Sequence, residues 1–364
     1  MTKPASLYIH IPFCEHICDY CDFTKLQYFR NFAVSYLKAL KKELDSYDIG
    51  ALKTIYVGGG TPTALEDDLF EQLLEMIKPY TNGVIEYTFE ANPESLSEAK
   101  IKLLTKYGVN RLSLGVQSTN DEILKYINRS HTFEEVQKCV ALLKENGLNN
   151  INVDLILGLP HINDKYLKED LINVLSLGVK HISCYALTIH PHTVLYRKGF
   201  KELDGDQMRH YYDIVQKILS GDEFFHYEVS NWAKEGKESL HNLTYWRNEQ
   251  YYGCGLGASG YIDEVRYKNT TNLTKYLKGD YVEEKETVAK DDKFTYEIML
   301  SLRTNEGLDL RKIVREYGVN LLKTKEKEII DMTKRGLVFC KNEHLIATYE
   351  GMMILDTIIL ELLK

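Results

Sequence analysis

The sequence predicts an α/β fold: a partial (β/α)6 barrel followed by a small C-terminal α+β domain of winged-helix type. Three observations lead there. Short β-branched runs alternate with longer amphipathic stretches through the first half of the chain, and near residue 290 the texture changes to helices and a hairpin. The residues suited to chemistry also fall repeatedly just after the expected strands. Strand–helix repeats build a parallel sheet, and right-handed crossovers curl it toward a barrel with its functional groups where strands run into loops.

The strands are expected at Ser6–Ile11, Thr54–Val57, Ile85–Phe89, Arg111–Val116, Ile151–Leu157 and His181–Leu187. Between them lie amphipathic stretches at Phe32–Leu44, Asp67–Ile77, Ser97–Tyr107, Thr132–Asn146 and Lys165–Leu177. Ser97 before Glu98, and Thr132 before Glu134 and Glu135, are helix-start signals. Gly108, Gly147 and Gly178 close three of the helices. The pattern breaks near residue 190 after six units. Beyond residue 290, helices are expected at Asp291–Ser301, Leu310–Tyr317 and Asn320–Lys334. A hairpin of Leu337–Phe339 and Leu345–Thr348 follows, then a helix at Met352–Leu363. The expected division is a barrel over 1–230, a connecting region over 231–289 and a terminal domain over 290–364.

A chain of 364 residues, 44% of them hydrophobic, can bury a large core. Its net charge of −8 argues against a general nucleic-acid binder. Within 309–343, nine Lys/Arg face six Asp/Glu, so the winged domain is expected to pack or to act as a lid, with no nucleic-acid partner. Twenty-six tyrosines against two tryptophans admit two readings: a pocket for a flat aromatic ligand, or half-buried amphipathic side chains. Seven cysteines, an odd number, do not suggest a disulfide framework. The first residues do not resemble a secretory signal, and no run of about 20 apolar residues occurs. The expected compartment is a reducing cytoplasm.

Cys14, Cys18 and Cys21 stand in a C-x3-C-x2-C spacing within Tyr8-Ile-His-Ile-Pro-Phe-Cys-Glu-His-Ile-Cys-Asp-Tyr-Cys. Three thiolates can hold three irons of a cubane cluster and leave the fourth iron open to an outside ligand. A closed zinc site would need a fourth protein ligand, for which His16 or His10 is at hand. Cys139, Cys184, Cys254 and Cys340 are scattered singly, as core residues are. After the second strand, Gly58-Gly59-Gly60-Thr61-Pro62 lets backbone amides approach a carboxylate or phosphate. Glu90 ends the third strand and Gln117 the fourth. Arg129 lies twelve residues further on, and Asp154 sits inside the apolar fifth strand, where a carboxylate is costly unless partnered. Together on one rim, these residues predict a ligand site.

The cysteine motif followed by the glycine run resembles the radical S-adenosylmethionine (SAM) superfamily. The flanking Tyr-Ile-His-Ile-Pro-Phe-Cys, Gly-Gly-Gly-Thr-Pro, Gly-Val-Gln, Asn-Arg-x-His and Asp-Leu-Ile-x-Gly-Leu-Pro resemble its oxygen-independent coproporphyrinogen III oxidase branch, from about residue 6 to the C-terminus. The resemblance implies a [4Fe–4S] cluster on Cys14, Cys18 and Cys21, with SAM chelating the fourth iron. It places Gly59, Gly60 and Thr61 at the amino-acid end of SAM. Glu90, Gln117, Arg129 and Asp154 would hold its charged groups and ribose, or those of a second SAM, and Tyr8 and Tyr20 occupy matching positions.

Two departures separate relatives within that branch. Oxidase members carry a further cysteine two positions after the third, where this chain has Phe23. The run His241-Asn242-Leu243-Thr244-Tyr245-Trp246 instead matches the H-N-x-x-Y-W motif of haem-chaperone members, and Tyr227–Trp232 fits that subgroup too. The resemblance implies haem ligation by His241 with Tyr245 and Trp246 against the macrocycle; a structural turn is the alternative. His190-Pro191-His192 offers another ligand pair or a plain surface turn. The expected function is a haem chaperone that binds a [4Fe–4S] cluster, SAM and haem. It would hand haem to acceptors, respiratory proteins at the membrane face, with the cluster serving structure, homodimer formation or redox gating. The alternative is an enzyme, a coproporphyrinogen dehydrogenase-like oxidoreductase that decarboxylates two propionates of coproporphyrinogen III. Radical opening or methylation of haem is a third reading.

Overall fold

The computed structural model describes residues 3–364. Six parallel strands, at Ser6–Ile11, Thr54–Gly59, Glu86–Ala91, Arg111–Gln117, Ile151–Leu157 and His181–Ala186, lie side by side in chain order. All six expected strands are present, with ends shifted by a residue or two. Helices between them cover the outer face. The helix at Asp67–Ile77 shows why: Leu69, Phe70, Leu73, Leu74 and Ile77 fall on one stripe and are buried. Each such side chain contributes roughly 1.5–3 kcal/mol on leaving water. Thr132 and Glu135 form a reciprocal capping box at the start of Phe133–Glu145.

Side-chain alternation along the strands defines two unlike faces. Leu7, Ile9, Ile11, Ile55, Val57, Val153 and Leu155 belong to the apolar core under the helices. The intervening positions, among them Tyr8, His10, Tyr56, Glu90, Ser113 and Asp154, line the interior cavities. The inner face of this sheet is therefore polar and aromatic, and the carboxylates found there sit in a lumen lined by donors.

The sheet runs further than the six-unit expectation. Tyr252–Cys254 adds parallel to the first strand, pairing Leu7 with Tyr252 and Ile9 with Cys254. At the opposite edge, Asn231–Ala233 adds antiparallel to the sixth strand, and Phe225–Glu228 follows it. The helix Gly205–Ser220, also outside the expected set, buries Tyr211, Ile214, Val215 and Leu219. Trp232, Tyr252, Cys254, Leu256 and Tyr276 share the barrel's core. A separate core runs from Ile298 to Leu362.

The terminal region has the expected character. Helices at Lys290–Ser301, Leu310–Tyr317, Leu321–Thr324 and Glu326–Lys334 precede a hairpin of Val338–Lys341 and His344–Ala347. Leu308–Asp309 joins the hairpin as a third strand. The region docks on the barrel through backbone bonds from Val229 N to Arg303 O (3.1 Å) and from Asn305 N to Tyr227 O (2.9 Å). Among the described residues no helix is long and apolar enough to cross a membrane.

Candidate functional site

The cysteine loop leaves the first strand at the C-terminal rim, where its ends are pinned by backbone bonds. Leu26 N donates to Pro12 O (2.6 Å), Tyr28 N to Cys14 O (2.8 Å) and Thr61 N to Phe13 O (2.8 Å). Inside the loop, Lys25 Nζ donates to Cys21 O (2.6 Å), and Asn128 Nδ2 reaches across to Ile17 O (2.8 Å). Cys14, Cys18 and Cys21 are all free thiols and line one cavity of about 400 Å³. Burial pushes the Cys14 thiol up to about 12, against the opposing hydrogen bond from Thr61. Such a thiol stays protonated in water but becomes a thiolate on meeting a metal.

The three thiols line one wall of this cavity. A cluster meets each thiolate at a different iron and needs no fourth protein ligand, whereas a closed zinc site does.

Beside the cysteines, the glycine run takes the only course its neighbours allow. A Cβ at Gly60 would sit 2.9 Å from the Cys14 sulfur and from the Phe13 carbonyl, and one at Gly58 would lie 2.5 Å from the Glu90 carboxyl carbon. Glu90 is the reason the run is so close: its carboxylate accepts Gly59 N (2.9 Å) and Tyr56 OH (2.8 Å). Burial pushes Glu90 up to about 7, against those two bonds.

Arg129 is buried at the far wall. Its Nη2 donates to Asn92 Oδ1 (2.9 Å) and to the Gly115 carbonyl, and Nη1 lies 3.5 Å from the Cys18 sulfur. Burial works against its charge, but Tyr20, Cys18 and Glu94 outweigh that and hold it cationic. Arg129 Nε has no hydrogen-bond partner, an orphaned buried donor beside the cavity. Gln117 adopts φ +71° and Asn128 φ +61°, left-handed positions uncommon for residues with a Cβ, and they flank the cavity residues in both motifs. A register shift between Gly115 and Gln117 accompanies the first. Asp154 accepts from Asn152 Nδ2 (2.8 Å) and Ser113 Oγ (3.1 Å), while burial raises its pKa.

One cavity thus collects Cys14, Cys18, Cys21, Tyr20, Gly59, Gly60, Thr61, Glu90, Gln117, Arg129 and Asp154. It also collects Asn92, Tyr56 and Tyr185, which sequence reasoning passed over. Asn92 binds both Arg129 and Thr61 Oγ1 (3.0 Å) and so ties two walls together. Its signal was available, since it follows Glu90 by two residues at the end of a strand.

Tyr8 lies elsewhere. With Tyr245, Tyr251, His10 and Phe23 it lines a second cavity of about 390 Å³, and its hydroxyl contacts His10 Nδ1 (2.9 Å). The residues expected to hold haem also lie apart from the cysteine cavity. His241 is fully buried at the N-terminal end of the strands, with Nδ1 on Thr54 Oγ1 (2.8 Å) and Nε2 on Tyr245 OH (2.8 Å). Burial and then the Arg111 charge lower its pKa to about 3. As folded, this neutral imidazole has no ring nitrogen and no surface to offer an iron. Trp246 packs beside Tyr227, Ala233 and Leu243, apart from the cysteine cavity.

The family model of the radical SAM superfamily matches residues 8–172, and that of the HemN C-terminal domain matches 288–354. The haem chaperone HemW of Lactococcus lactis is 38% identical over 360 residues, covering 96% of this chain and 95% of its own length. The haem chaperone HemW of Bacillus subtilis is 37% identical over 366 residues, covering 96% of each. This chain belongs to the HemW family. Coproporphyrinogen III oxidase HemN of Escherichia coli, a radical SAM enzyme, matches with a TM-score of 0.85 over 99% of this chain and 90% of that one. At 22% identity that likeness establishes the shared fold. The radical SAM superfamily implies a [4Fe–4S] cluster and SAM, and in this HemW-family chain the three thiols on one cavity wall, the tight glycine wall and the orphaned arginine donor fit both groups.

Proposed function

We propose that this chain is a haem carrier that binds haem and passes it to acceptor proteins, with a cluster and SAM held in the rim cavity. The observation that carries the reading is the likeness to haem chaperones along nearly the whole chain. Phe23 supports it: at the position of the oxidases' further cysteine, this side chain is 66% exposed on the cavity wall.

Cys14, Cys18 and Cys21 would hold the cluster, which when bound supplies one-electron chemistry and an open iron position. The protein's own residues do the rest. The Gly59 and Gly60 backbone and Thr61 form the wall nearest Cys14. Glu90 keeps that wall in place through the Gly59 amide. Arg129 supplies fixed positive charge next to Cys18 and a donor for an anionic or polar ligand group. Asp154 and Gln117 present oxygen and amide groups from the lumen floor and rim, suited to hydroxyl or ammonium groups of SAM. Haem would be handed to respiratory acceptors at the membrane face, from the cytoplasm.

The test is an anaerobic comparison on cluster-reconstituted protein. One arm supplies coproporphyrinogen III, SAM and a strong reductant and quantifies protoporphyrinogen IX. The other loads hemin and follows its transfer to a haem-free cytochrome by absorbance. Transfer without multiple-turnover product is the expected result. Many turnovers of product with no haem transfer would make the chain an oxidase.

A further inference from the structure

Four of the buried histidines are spoken for. His10, His131, His181 and His241 each have both ring nitrogens engaged by hydroxyls, carbonyls, amides or carboxylates. His190 is different. It follows the sixth strand on the same rim as the cysteine loop, its side chain is 40% exposed, and it lines the cavity. Its backbone is clamped: Thr193 N and Thr193 Oγ1 both donate to the His190 carbonyl (2.9 and 2.7 Å). Its ring Nε2 lies 2.9 Å from Asp22 Oδ2, next to Cys21 in the cysteine loop. A carboxylate against one imidazole nitrogen fixes the ring and makes the other nitrogen a better metal ligand.

The surroundings suit a flat apolar ligand. Phe23 (66% exposed) and Tyr185 (41% exposed) line this rim with Leu187 and Ile156. Large aromatics left exposed beside an open imidazole are a platform for a planar macrocycle. The neighbouring His192 ring, 6.0 Å from His190, places a second imidazole within reach.

We propose that His190 would ligate haem iron, with Phe23 and Tyr185 as the aromatic side chains that would hold the macrocycle at this rim. The assignment rests on the haem-carrier reading and relocates its iron ligand from the buried His241 to the rim. It has a consequence for the cavity beneath: bound haem covers the mouth through which SAM enters and leaves, so haem loading slows SAM exchange.

The test titrates hemin into the reconstituted full-length protein, read by difference absorbance and by electron paramagnetic resonance of the ferric haem. His190→Ala is expected to weaken binding at least tenfold and to lose the imidazole-ligated spectrum, which added free imidazole restores. His192→Ala is expected to stay within twofold of the parent. His16, the other imidazole on this rim, lies between two cluster cysteines, and His16→Ala is the control. His190→Gln repeats the measurement with a polar side chain of similar reach, should the alanine variant misfold. Parent protein that binds no hemin refutes the haem-carrier reading itself. Parent protein that binds, with His190 variants unchanged or with the spectrum lost only in His16→Ala, overturns the His190 assignment alone.

Discussion

Replacing Glu228 by glutamine is expected to stabilise this protein above neutral pH, by a margin that shrinks as pH falls toward 4.5. Glu228 is 1% exposed, and its Oε2 accepts the Ser230 amide at 3.3 Å. Its Oε1 has no partner, and neither has Oδ1 of Asn231, its neighbour across the strand pair. A buried carboxylate oxygen with no donor is costly, and protonation of the carboxyl removes that charge. Burial pushes Glu228 up to about 7, against the Ser230 amide and the Asn231 and Trp246 side chains. In the unfolded chain the carboxyl titrates near 4.5. The folded pKa is raised, so this contribution is fully present below pH 4.5 and is lost as pH rises through 7. A difference of about 2.5 pH units at 1.36 kcal/mol each corresponds to about 3 kcal/mol by pH 8.5. A glutamine amide is neutral at every pH and so avoids the cost of a buried charge. The assay is urea unfolding of both proteins from pH 5 to pH 8.5. Other buried carboxyls with raised pKa values, Glu43, Glu90, Asp154 and Asp170, cancel in the difference. A variant less stable than the parent at pH 8.5, or a gap that does not change with pH, would refute the reasoning.

Cys18→Ser should abolish cluster absorbance and bound iron while the far-ultraviolet circular dichroism stays that of the parent; unchanged iron content would remove Cys18 from the ligand set. Gly115→Ala would put a Cβ 2.9 Å from Asn92 Oδ1, 3.0 Å from Gln117 Nε2 and 3.5 Å from Arg129 Nη2. It should therefore weaken SAM binding by about tenfold or more at full iron occupancy, the ~1–3 kcal/mol of an overpacked site, and calorimetric titration checks this. His241→Ala should cost about 2–4 kcal/mol in a urea melt, through a cavity and the loss of the Tyr245 hydroxyl's partner, while Thr54 keeps its bond to Ser6. Its haem spectrum should match the parent's, and a lost Soret band in a fully stable variant would return the iron ligand to His241.

The barrel was legible because two periods coincide in one stretch of chain. Leu7, Ile9 and Ile11 alternate with Tyr8 and His10, while Leu69, Phe70, Leu73 and Leu74 repeat at helical spacing. Each pattern names its own element without help from the rest of the fold. The short edge strands were not legible in this way. Tyr252–Cys254 and Asn231–Ala233 are three residues each, too brief to show a period, and they exist because the edges of a sheet already formed offer unpaired amides.

The same division runs through the site. The cysteine spacing, the glycine run and the polar residues at strand ends are local features, and the sequence by itself determined that they serve one rim. A motif does not state on which side of the barrel its side chains are spent. Glu86 caps the helix Leu240–Trp246 by accepting Leu240 N and His241 N, and this draws His241 under the barrel into Thr54 and Tyr245. In the sequence His190 read equally as one of a ligand pair or as part of a surface turn, and only the fold brings it to Asp22, Phe23 and the cavity mouth. Burial and hydrogen-bond partnership come from residues far apart in the chain. Which histidine is structural and which stands open to a ligand was therefore decided by the tertiary structure alone.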